Sequence, residues 1–269
     1  MESSSIDVYR ALELVRESAP LVHNITNYVA MNNTANALLA VGASPAMVHA
    51  VEEVEEFAGI SCALVVNIGT LSARWVDAME LAVAKARGTQ MPWVLDPVGA
   101  GATVYRSGVG AALAQLEPTV IRGNASEIMV LAGMQESAGK GVDSTHGTDE
   151  ALETAKALAR STGAIVAMTG AVDYVTDGER TVAISNGDPM MARVTALGCT
   201  CSALVGAFLG VEIDPFEATV AAVVVLGVAG EMAADGSPGP GTLQLRLLDA
   251  LYSLDEPTLR RRMRVTELS

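Results

Sequence analysis

The residues best suited to chemistry form a run of small side chains, residues 196–202, directly before an apolar segment, residues 203–210. Thr200 or Ser202 can cap a helix that begins here, and the N–H groups of its first turn would bind an anion such as phosphate. Cys199 would lie beside a group reacting at that anion, and a thiol at a helix N-terminus is expected to ionise more readily than a free one. An ordinary helix start with a buried cysteine explains the same residues, so other motifs must decide.

Asp96 ends a predicted strand and precedes a glycine turn, residues 97–102, whose N–H groups are expected to point outward. This combination suits a metal-bound phosphate. A dinucleotide fingerprint is disfavoured because its third glycine is missing, Pro97 follows the strand, and no acidic residue ends the next strand. A plain strand-to-loop turn with a solvated aspartate stays open as an alternative.

Residues 122–127 follow the next predicted strand. Asn124 and Glu127 have the spacing of a capping box that opens a helix over residues 125–131. Glu127 could instead share a hydrated Mg²⁺ with Asp96, since magnesium prefers one or two carboxylates together with phosphate oxygens and water. Arg122 would add a fork of donors for phosphate oxygens. Taken alone, this motif favours the cap.

Amide and hydroxyl side chains cluster in residues 23–27 and 31–36, and residues 42–47 end in Met47. Asparagines beside a methionine suit a neutral polar heterocycle, because methionine fills an irregular apolar wall and the amides orient ring heteroatoms. A buried capping network explains the same residues equally well. Residues 67–70 end another strand at the same edge and are expected to form a wall of the pocket.

The elements that must position these residues alternate between short β-branched runs and longer segments rich in Ala and Leu. Strands buried on both faces are typical of a parallel sheet flanked by helices, so we predict an α/β fold with repeated βαβ units in one domain, residues 1–269. The predicted strands are residues 63–68, 93–98, 119–122 and 164–169, with a hairpin over residues 174–184. The predicted helices are residues 72–87, 105–116, 148–162, 202–210, 214–234 and 241–252, and residues 139–147 are expected to form a flexible loop.

Composition excludes several classes of function. The net charge is -14, and the only cluster of basic residues lies at 260–264, so nucleic acid is not an expected partner. Three cysteines cannot build a disulfide framework and lack zinc-site spacing, and no histidine motif supports a Cys/His hydrolase. Residues 1–5 lack a signal-peptide pattern, and the apolar run 218–230 is shorter than the ~20 residues that span a bilayer. We therefore expect a cytoplasmic protein that does not insert in membranes.

Taken together, the motifs resemble those of the hydroxyethylthiazole kinase family, a member of the ribokinase-like superfamily. The resemblance spans nearly the whole chain, from about residue 20 to about residue 241. It rests on six segments: residues 20–27, 38–47, 67–71, 95–103, 121–127 and 169–170. The resemblance implies a ribokinase-like three-layer sandwich that transfers phosphate from ATP, with Mg²⁺, to the primary alcohol of 4-methyl-5-(2-hydroxyethyl)thiazole. It also implies a homotrimer with its thiazole sites between subunits.

The resemblance further assigns roles by position. It implies substrate contacts at Met47, Ala196, Asn27 and Gly69, ATP contacts at Arg122, Thr169 and Asn124, Mg²⁺ ligands at Asp96 and Glu127, and catalysis at Gly198 and Cys199. Cys199 takes the place where most ribokinase relatives carry an aspartate base. A poor base can suffice because phosphoryl transfer depends mainly on positioning and charge stabilisation. Ala196 replaces the glycine that is usual in the family, and its methyl group narrows the approach of the backbone to phosphate.

Three alternatives stay open at this point. A related kinase of hydroxymethylpyrimidine or pyridoxal would share the anion site and the metal corner. A repair enzyme for hydrated nicotinamide cofactors would share the fold. A thiazole or thiamine sensor without catalysis could retain the pocket, although it would have no need for the two carboxylates Asp96 and Glu127.

Overall fold

A nine-stranded sheet forms the middle of the protein, which we describe from a computed structural model covering residues 6–133, 145–211 and 213–268. The strands are β1 (Leu21–Ile25), β2 (Ser44–Met47), β3 (Ala63–Asn67), β4 (Trp93–Asp96), β5 (Val120–Asn124), β6 (Ile165–Thr169), β7 (Asp173–Thr176), β8 (Thr181–Ile184) and β9 (Val265–Leu268). Their order is β2-β1-β3-β4-β5-β6-β7-β8-β9. The first six strands are parallel, and β7 to β9 add an antiparallel extension.

Helices cover both faces of this sheet. They are α1 (Val8–Ser18), α2 (Met31–Val41), α3 (Val54–Ala58), α4 (Ala73–Gly88), α5 (Val104–Ala114), α6 (Ala125–Leu131), α7 (Thr145–Thr162), α8 (Leu197–Leu209), α9 (Pro215–Ala234), α10 (Pro240–Ser253) and α11 (Glu256–Arg262), with a 3₁₀ turn at Pro189–Arg193. The two faces have separate apolar cores because successive strand residues point to opposite sides. In β3, Val65 packs against α8 and α9, whereas Leu64 and Val66 pack on the side of α4.

This arrangement confirms the predicted α/β class with a mainly parallel sheet between two helical layers. The four predicted strands and the hairpin are present, with ends that differ by a residue or two. The prediction did not include α1, α3, β1, β2 or β9. The predicted flexible loop falls mostly outside the described residues, as do residues 1–5; its last three residues, 145–147, begin α7.

The predicted start of α8 is wrong. The helix begins at Leu197, five residues before the expected Ser202, and its N-cap is Ala196 in the left-handed conformation (φ 66°). Thr200 and Ser202 do not cap it: the Thr200 hydroxyl donates to the Ala196 carbonyl (3.0 Å), and Ser202 lies inside the helix. Residues 198–202 are Gly, Cys, Thr, Cys and Ser, which have weak helix propensity, so the sequence understated a helix whose first turns are held by tertiary packing.

The apolar run 218–230 is part of the longer helix α9, which has 20 residues. By length and composition alone this helix could cross a membrane. Most of it is buried inside the protein, where it packs against α1, α8 and α10. The prediction of a buried helix is therefore confirmed, and its predicted bounds, residues 214–234, differ from those of α9 only at the first residue.

Candidate active site

The N-terminus of α8 points toward the carboxyl edge of the parallel strands. Gly198 and Cys199 are the second and third residues of this helix, and the N–H of Thr200 is the first that is bonded within the turn, to the Ala196 carbonyl (2.9 Å). The N–H groups of Leu197, Gly198 and Cys199 therefore have no acceptor within the helix. Together with the helix dipole, they form the anion-binding arrangement that the sequence predicted, shifted to an earlier start.

Buried amides connect Cys199 to the strand ends. Asn27, which follows β1, donates from its Nδ2 to Cys199 Sγ (3.3 Å) and to Asn67 Oδ1 (2.9 Å). Asn67 ends β3 and donates to Asp96 Oδ2 (2.7 Å), which also accepts from the Ser202 hydroxyl (2.7 Å). Asn27, Asn67, Asp96 and Ser202 are all buried. This polar network fixes the position of Cys199 relative to three parallel strands.

Gly69 packs directly on this network. A Cβ atom at Gly69 would lie 2.6 Å from Asn27 Nδ2, so a larger residue would push the amide away from Cys199. The Gly69 N–H donates to Asn67 Oδ1 (2.9 Å). Arg106 binds this turn to the next one, because its guanidinium donates to the Ile68, Gly69 and Val98 carbonyls.

Cys199 does not have the readily ionised thiol that its helix position predicted. Burial raises the pKa of the thiol, and the neighbouring Asp96 carboxylate raises it further, while hydrogen bonds from Asn27 and Asn67 and the charge of Arg122 act in the opposite direction. The expectation of a lowered pKa is therefore wrong. Desolvation and a nearby negative charge outweigh the groups that stabilise the thiolate.

Asp96 is the most deeply buried acid of the site. Burial raises its pKa to about 6, against the opposing effects of Arg122 and of hydrogen bonds from Ser202 and Asn67. Its Oδ1 atom is buried and has no hydrogen-bond partner among the described residues. The alternative of a solvated aspartate is therefore wrong, and Asp96 has one oxygen available to a ligand.

The glycine turn after Asp96 is also different from the prediction. The Gly99 N–H donates to Glu127 Oε1 (2.8 Å), and the Gly101 N–H donates to the Ser107 hydroxyl (2.9 Å). These groups bind the turn to α5 and α6 and do not point outward. Both glycines have positive φ (71° and 99°), which explains their presence in such a tight turn.

The capping box at the start of α6 is confirmed. Asn124 Oδ1 accepts from the Glu127 N–H (2.9 Å), and Glu127 Oε2 accepts from the Asn124 N–H (2.8 Å). Both oxygens of Glu127 thus hold backbone groups, one at the cap and one in the glycine turn at Gly99. Glu127 therefore joins the ends of β4 and β5, and its charge lies near Asp96.

Arg122 and Thr169 come together at the ends of β5 and β6. Arg122 Nη2 donates to the Thr169 hydroxyl (2.6 Å), and the guanidinium packs on the backbone of Gly198. A Cβ atom at Gly198 would lie 2.6 Å from Arg122 Nη1. Only glycine lets the cation approach the first turn of α8 so closely.

A cleft of about 740 Å³ opens beside this pair. It is lined by Arg122, Thr169, Ala196 and Gly198 and, on the far side, by the segment that follows β8. Asp173 also lines the cleft; burial raises its pKa to about 6, although the Gly170 N–H donates to it. Asp173 follows a turn with no recognised motif, so its place in the cleft could not be predicted from the sequence.

Met47 is placed farther out along the same edge. It is the last residue of β2, the edge strand, and lies opposite Asn24 in β1, three residues before Asn27. Met47 is half-buried. Asn24 donates from its amide to the Ala46 carbonyl (3.4 Å), so this wall is tied to the strand that carries Asn27.

Asp96 and Glu127 are the side chains that the sequence predicted as metal ligands. Within the described residues, no group of three or more His, Cys, Asp or Glu side chains could hold a metal ion. Asp96 fits a metal that is bound by one or two carboxylates and phosphate oxygens, since its Oδ1 atom lacks a partner among the described residues. Glu127 fits less well, because each of its oxygens already accepts a backbone N–H.

A mainly parallel sheet with an anion-binding helix start at its carboxyl edge is an architecture that this protein shares with ribokinase-like kinases. Solved structures agree with this class. The pyridoxal kinase from Staphylococcus aureus in complex with pyridoxal superposes with a TM-score of 0.65 at 15% identity, covering 93% of this chain and 98% of that chain. A ribokinase-like superfamily protein from Enterococcus faecalis gives 0.63 at 12% identity, with coverage of 93% and 90%.

The chain belongs to the hydroxyethylthiazole kinase family, whose model matches residues 12–257. It is 56% identical to a hydroxyethylthiazole kinase of Granulibacter bethesdensis, covering 93% of this chain and 90% of that protein. It is 50% identical to one of Syntrophus aciditrophicus, covering 98% of both. The structure of a hydroxyethylthiazole kinase protein from Pyrococcus horikoshii superposes with a TM-score of 0.90 at 44% identity, covering 97% of this chain and 99% of that chain.

Proposed function

We propose that this protein transfers the γ-phosphate of ATP to the primary alcohol of 4-methyl-5-(2-hydroxyethyl)thiazole, in thiamine biosynthesis or salvage. The observation that carries the proposal is the position of the first turn of α8. On one side its Cys199 sulfur accepts the Asn27 amide, and on the other its Gly198 backbone supports the Arg122 guanidinium. We infer the substrate from the names of the relatives, and the geometry of the first turn of α8 supports it as the site of phosphate transfer.

ATP is proposed to bind in the 740 Å³ cleft. Arg122 and Thr169 would contact the phosphates of ATP, and Asn124 would border them at the end of β5. The N–H groups of Gly198 and Cys199 would stabilise the charge on the transferred group. Phosphoryl transfer depends mainly on such positioning and charge stabilisation.

The alcohol substrate is proposed to bind next to Met47, Asn27, Gly69 and Ala196. Met47 would form an apolar wall for the thiazole ring, while Asn27 and Gly69 keep the amide network against Cys199. Ala196 would border the hydroxyl group. In this arrangement the alcohol approaches the first turn of α8 from the side opposite to Arg122.

Cys199 would orient the attacking hydroxyl. Because burial raises the pKa of the thiol, only a small fraction is ionised near neutral pH. A weak base is sufficient, because the alcohol becomes a strong acid once its bond to phosphorus forms and little proton transfer is needed before then. The proton can therefore leave late in the reaction.

We further propose Mg²⁺ at Asp96, with Glu127 beside it. When bound, Mg²⁺ would neutralise phosphate charge. The Oδ1 atom of Asp96 has no hydrogen-bond partner in the part of the chain that the structure describes, which supports its role as a ligand. The two oxygens of Glu127 each accept a backbone N–H group. We therefore propose that Glu127 holds the backbone around Asp96 in place and adds a negative charge beside it.

The protein is proposed to act in the cytoplasm as one domain, as a homotrimer with thiazole sites between subunits. Tyr28 and Val29, which follow Asn27, are 65% and 63% exposed, so apolar surface is available beside the site. Nucleic acid and membranes are not expected as partners, given the charge of -14. Analytical ultracentrifugation distinguishes a trimer from a monomer.

An ATP-consumption assay with a panel of alcohols tests the function. The panel contains hydroxyethylthiazole, hydroxymethylpyrimidine and pyridoxal, with hydrated NADH as a separate sample. The proposal expects consumption of ATP with the thiazole and a phosphate ester as product. Turnover of the pyrimidine or pyridoxal alone would indicate a related kinase instead. Recovery of NADH alone would indicate a repair enzyme, and thiazole binding without turnover would indicate a sensor.

A further inference from the structure

The segment after β8 forms one wall of the cleft and is held by residues far away in the chain. Residues 185–188 line the cleft and lead into the 3₁₀ turn Pro189–Arg193. We call residues 185–188 the cleft loop. The position of this loop determines the width of the cleft that also contains Arg122 and Thr169.

Glu231 of α9 binds the cleft loop from beneath. Its Oε1 atom accepts hydrogen bonds from Asn186 Nδ2 (2.9 Å) and from the Gly187 N–H (3.0 Å). The same oxygen accepts a charged hydrogen bond from the Arg264 guanidinium. The Glu231 side chain is 12% exposed and that of Arg264 is 53% exposed, so water screens the hydrogen bonds from the loop less than the one from Arg264.

The chain segment between α11 and β9 holds the cleft loop from the other side. Arg264 donates from Nε and Nη2 to the Ser185 carbonyl (3.1 and 2.8 Å), and its N–H donates to Asn186 Oδ1 (2.7 Å). Asn186 Nδ2 in turn donates to the Arg262 carbonyl (2.8 Å). The Asn186 side chain therefore has partners for both its oxygen and its nitrogen.

Two glycines of α9 let the loop come this close. A Cβ atom at Gly227 would lie 2.7 Å from Asn186 Cβ, and one at Gly230 would overlap the Met191 sulfur. Any side chain at these positions would shift the loop or its 3₁₀ turn outward, into the cleft. Packing and hydrogen bonding thus fix the same segment.

We propose that Glu231 and Arg264 are positioning residues for the nucleotide: they hold the cleft loop in the conformation that binds ATP and do not touch the substrates. This inference rests on the proposed function, since it takes the 740 Å³ cleft as the nucleotide site. The Glu231 carboxylate joins α9, the cleft loop and the segment before β9, and it has no role in the chemistry at Cys199. Its effect should therefore fall on ATP affinity alone.

Arg264→Met and Glu231→Gln test the proposal in the full-length protein. Loss of charge-assisted hydrogen bonds to the loop should raise both the KM and the dissociation constant of ATP about tenfold. The KM of the alcohol and the kcat at saturating ATP should stay within about twofold of wild type, because the Cys199 side of α8 is untouched. Arg264→Lys, which keeps a charge, should restore most of the ATP affinity.

Arg87→Met is the matched control. Arg87, in the last turn of α4, pairs with Glu117 (2.7 Å) at the edge of the sheet opposite to the site. This variant should leave the KM and the dissociation constant of ATP unchanged. Calorimetric titration with ATP measures binding without turnover. ATP constants within about twofold of wild type in both variants overturn the proposal, as does a parallel loss of alcohol KM and kcat, which would indicate a general structural role. If the wild-type protein binds ATP but does not phosphorylate the thiazole, only the proposed function fails, and the titration still decides the role of the loop.

Discussion

Replacing Asp96 by Asn should make the protein more stable and less active. Burial raises the pKa of Asp96 from 3.8 to about 6, and this difference corresponds to about 3 kcal/mol of unfolding free energy at pH 7. The asparagine removes the charge and keeps an oxygen for the donors Asn67 and Ser202. Its amide nitrogen would replace the partnerless Oδ1 atom, and an unsatisfied donor costs about 1–2 kcal/mol. We expect a net gain of about 1–2 kcal/mol at pH 7.

The gain should depend on pH in a defined direction. Between about pH 4 and pH 6 the unfolded chain ionises Asp96 while the folded protein keeps its proton. The contribution of this group to stability is therefore complete below about pH 4 and is lost as pH rises through about 6. The variant lacks this loss. The difference in unfolding free energy between variant and wild type should thus grow from pH 4 to pH 7.

Urea unfolding of both proteins at several pH values between 4 and 7.5 measures this difference. Asp77→Asn, at an exposed position of α4, is the control and should change stability by less than about 0.5 kcal/mol at every pH. A variant that is less stable than wild type at pH 7, or a difference that does not change with pH, would refute the reasoning. Kinase activity at the wild-type rate in Asp96→Asn would separately refute a role for this carboxylate near the transferred phosphate.

Further predictions concern the first turn of α8 and its N-cap. Cys199→Ser should lower kcat while the KM of the alcohol changes little, and Cys199→Asp should stay active; steady-state kinetics check both. Because burial raises the pKa of the Cys199 thiol, the wild-type rate should increase from pH 7 to 9, whereas the aspartate variant should show no such increase. Ala196→Gly should keep or raise unfolding free energy, by up to about 1 kcal/mol, since Ala196 has φ 66° and a left-handed alanine is strained; urea unfolding measures it. Gly198→Ala should raise the KM of ATP about tenfold or more, because its Cβ would displace the Arg122 guanidinium; a KM equal to that of wild type would contradict the contact.

The sequence predicted most of the parallel half of the sheet. Strands such as β3 and β6 are continuous apolar runs, and that signal is local. The same logic located Asp96, which ends β4, and Arg122, which lies two residues before the end of β5, because parallel strands share one ligand-binding edge. The role of Thr169, at the end of β6, came only from the family resemblance. The start of α8 could not be read correctly, since Ala196 adopts a left-handed conformation that no local signal demands.

Contacts between distant segments could not be predicted from the sequence. Asn67 ends a strand, so its place at the edge was predicted, but its bonds to Asn27 and Asp96 depend on strand order. The raised pKa of Cys199 could not be inferred either, because burial and the approach of Asp96 arise only when α8 packs on the sheet. Glu231, whose partners Asn186 and Arg264 lie 45 and 33 residues away in the chain, carried no motif at all.

The central claim is that the first turn of α8 is the place where phosphate passes from nucleotide to alcohol. A crystal structure with hydroxyethylthiazole and a non-hydrolysable ATP analogue tests it most directly. We expect the terminal phosphate on the N–H groups of Gly198 and Cys199, with the alcohol oxygen beside Cys199 Sγ and Arg122 on the phosphate. A terminal phosphate bound elsewhere, or an alcohol group that does not face Cys199, would contradict it.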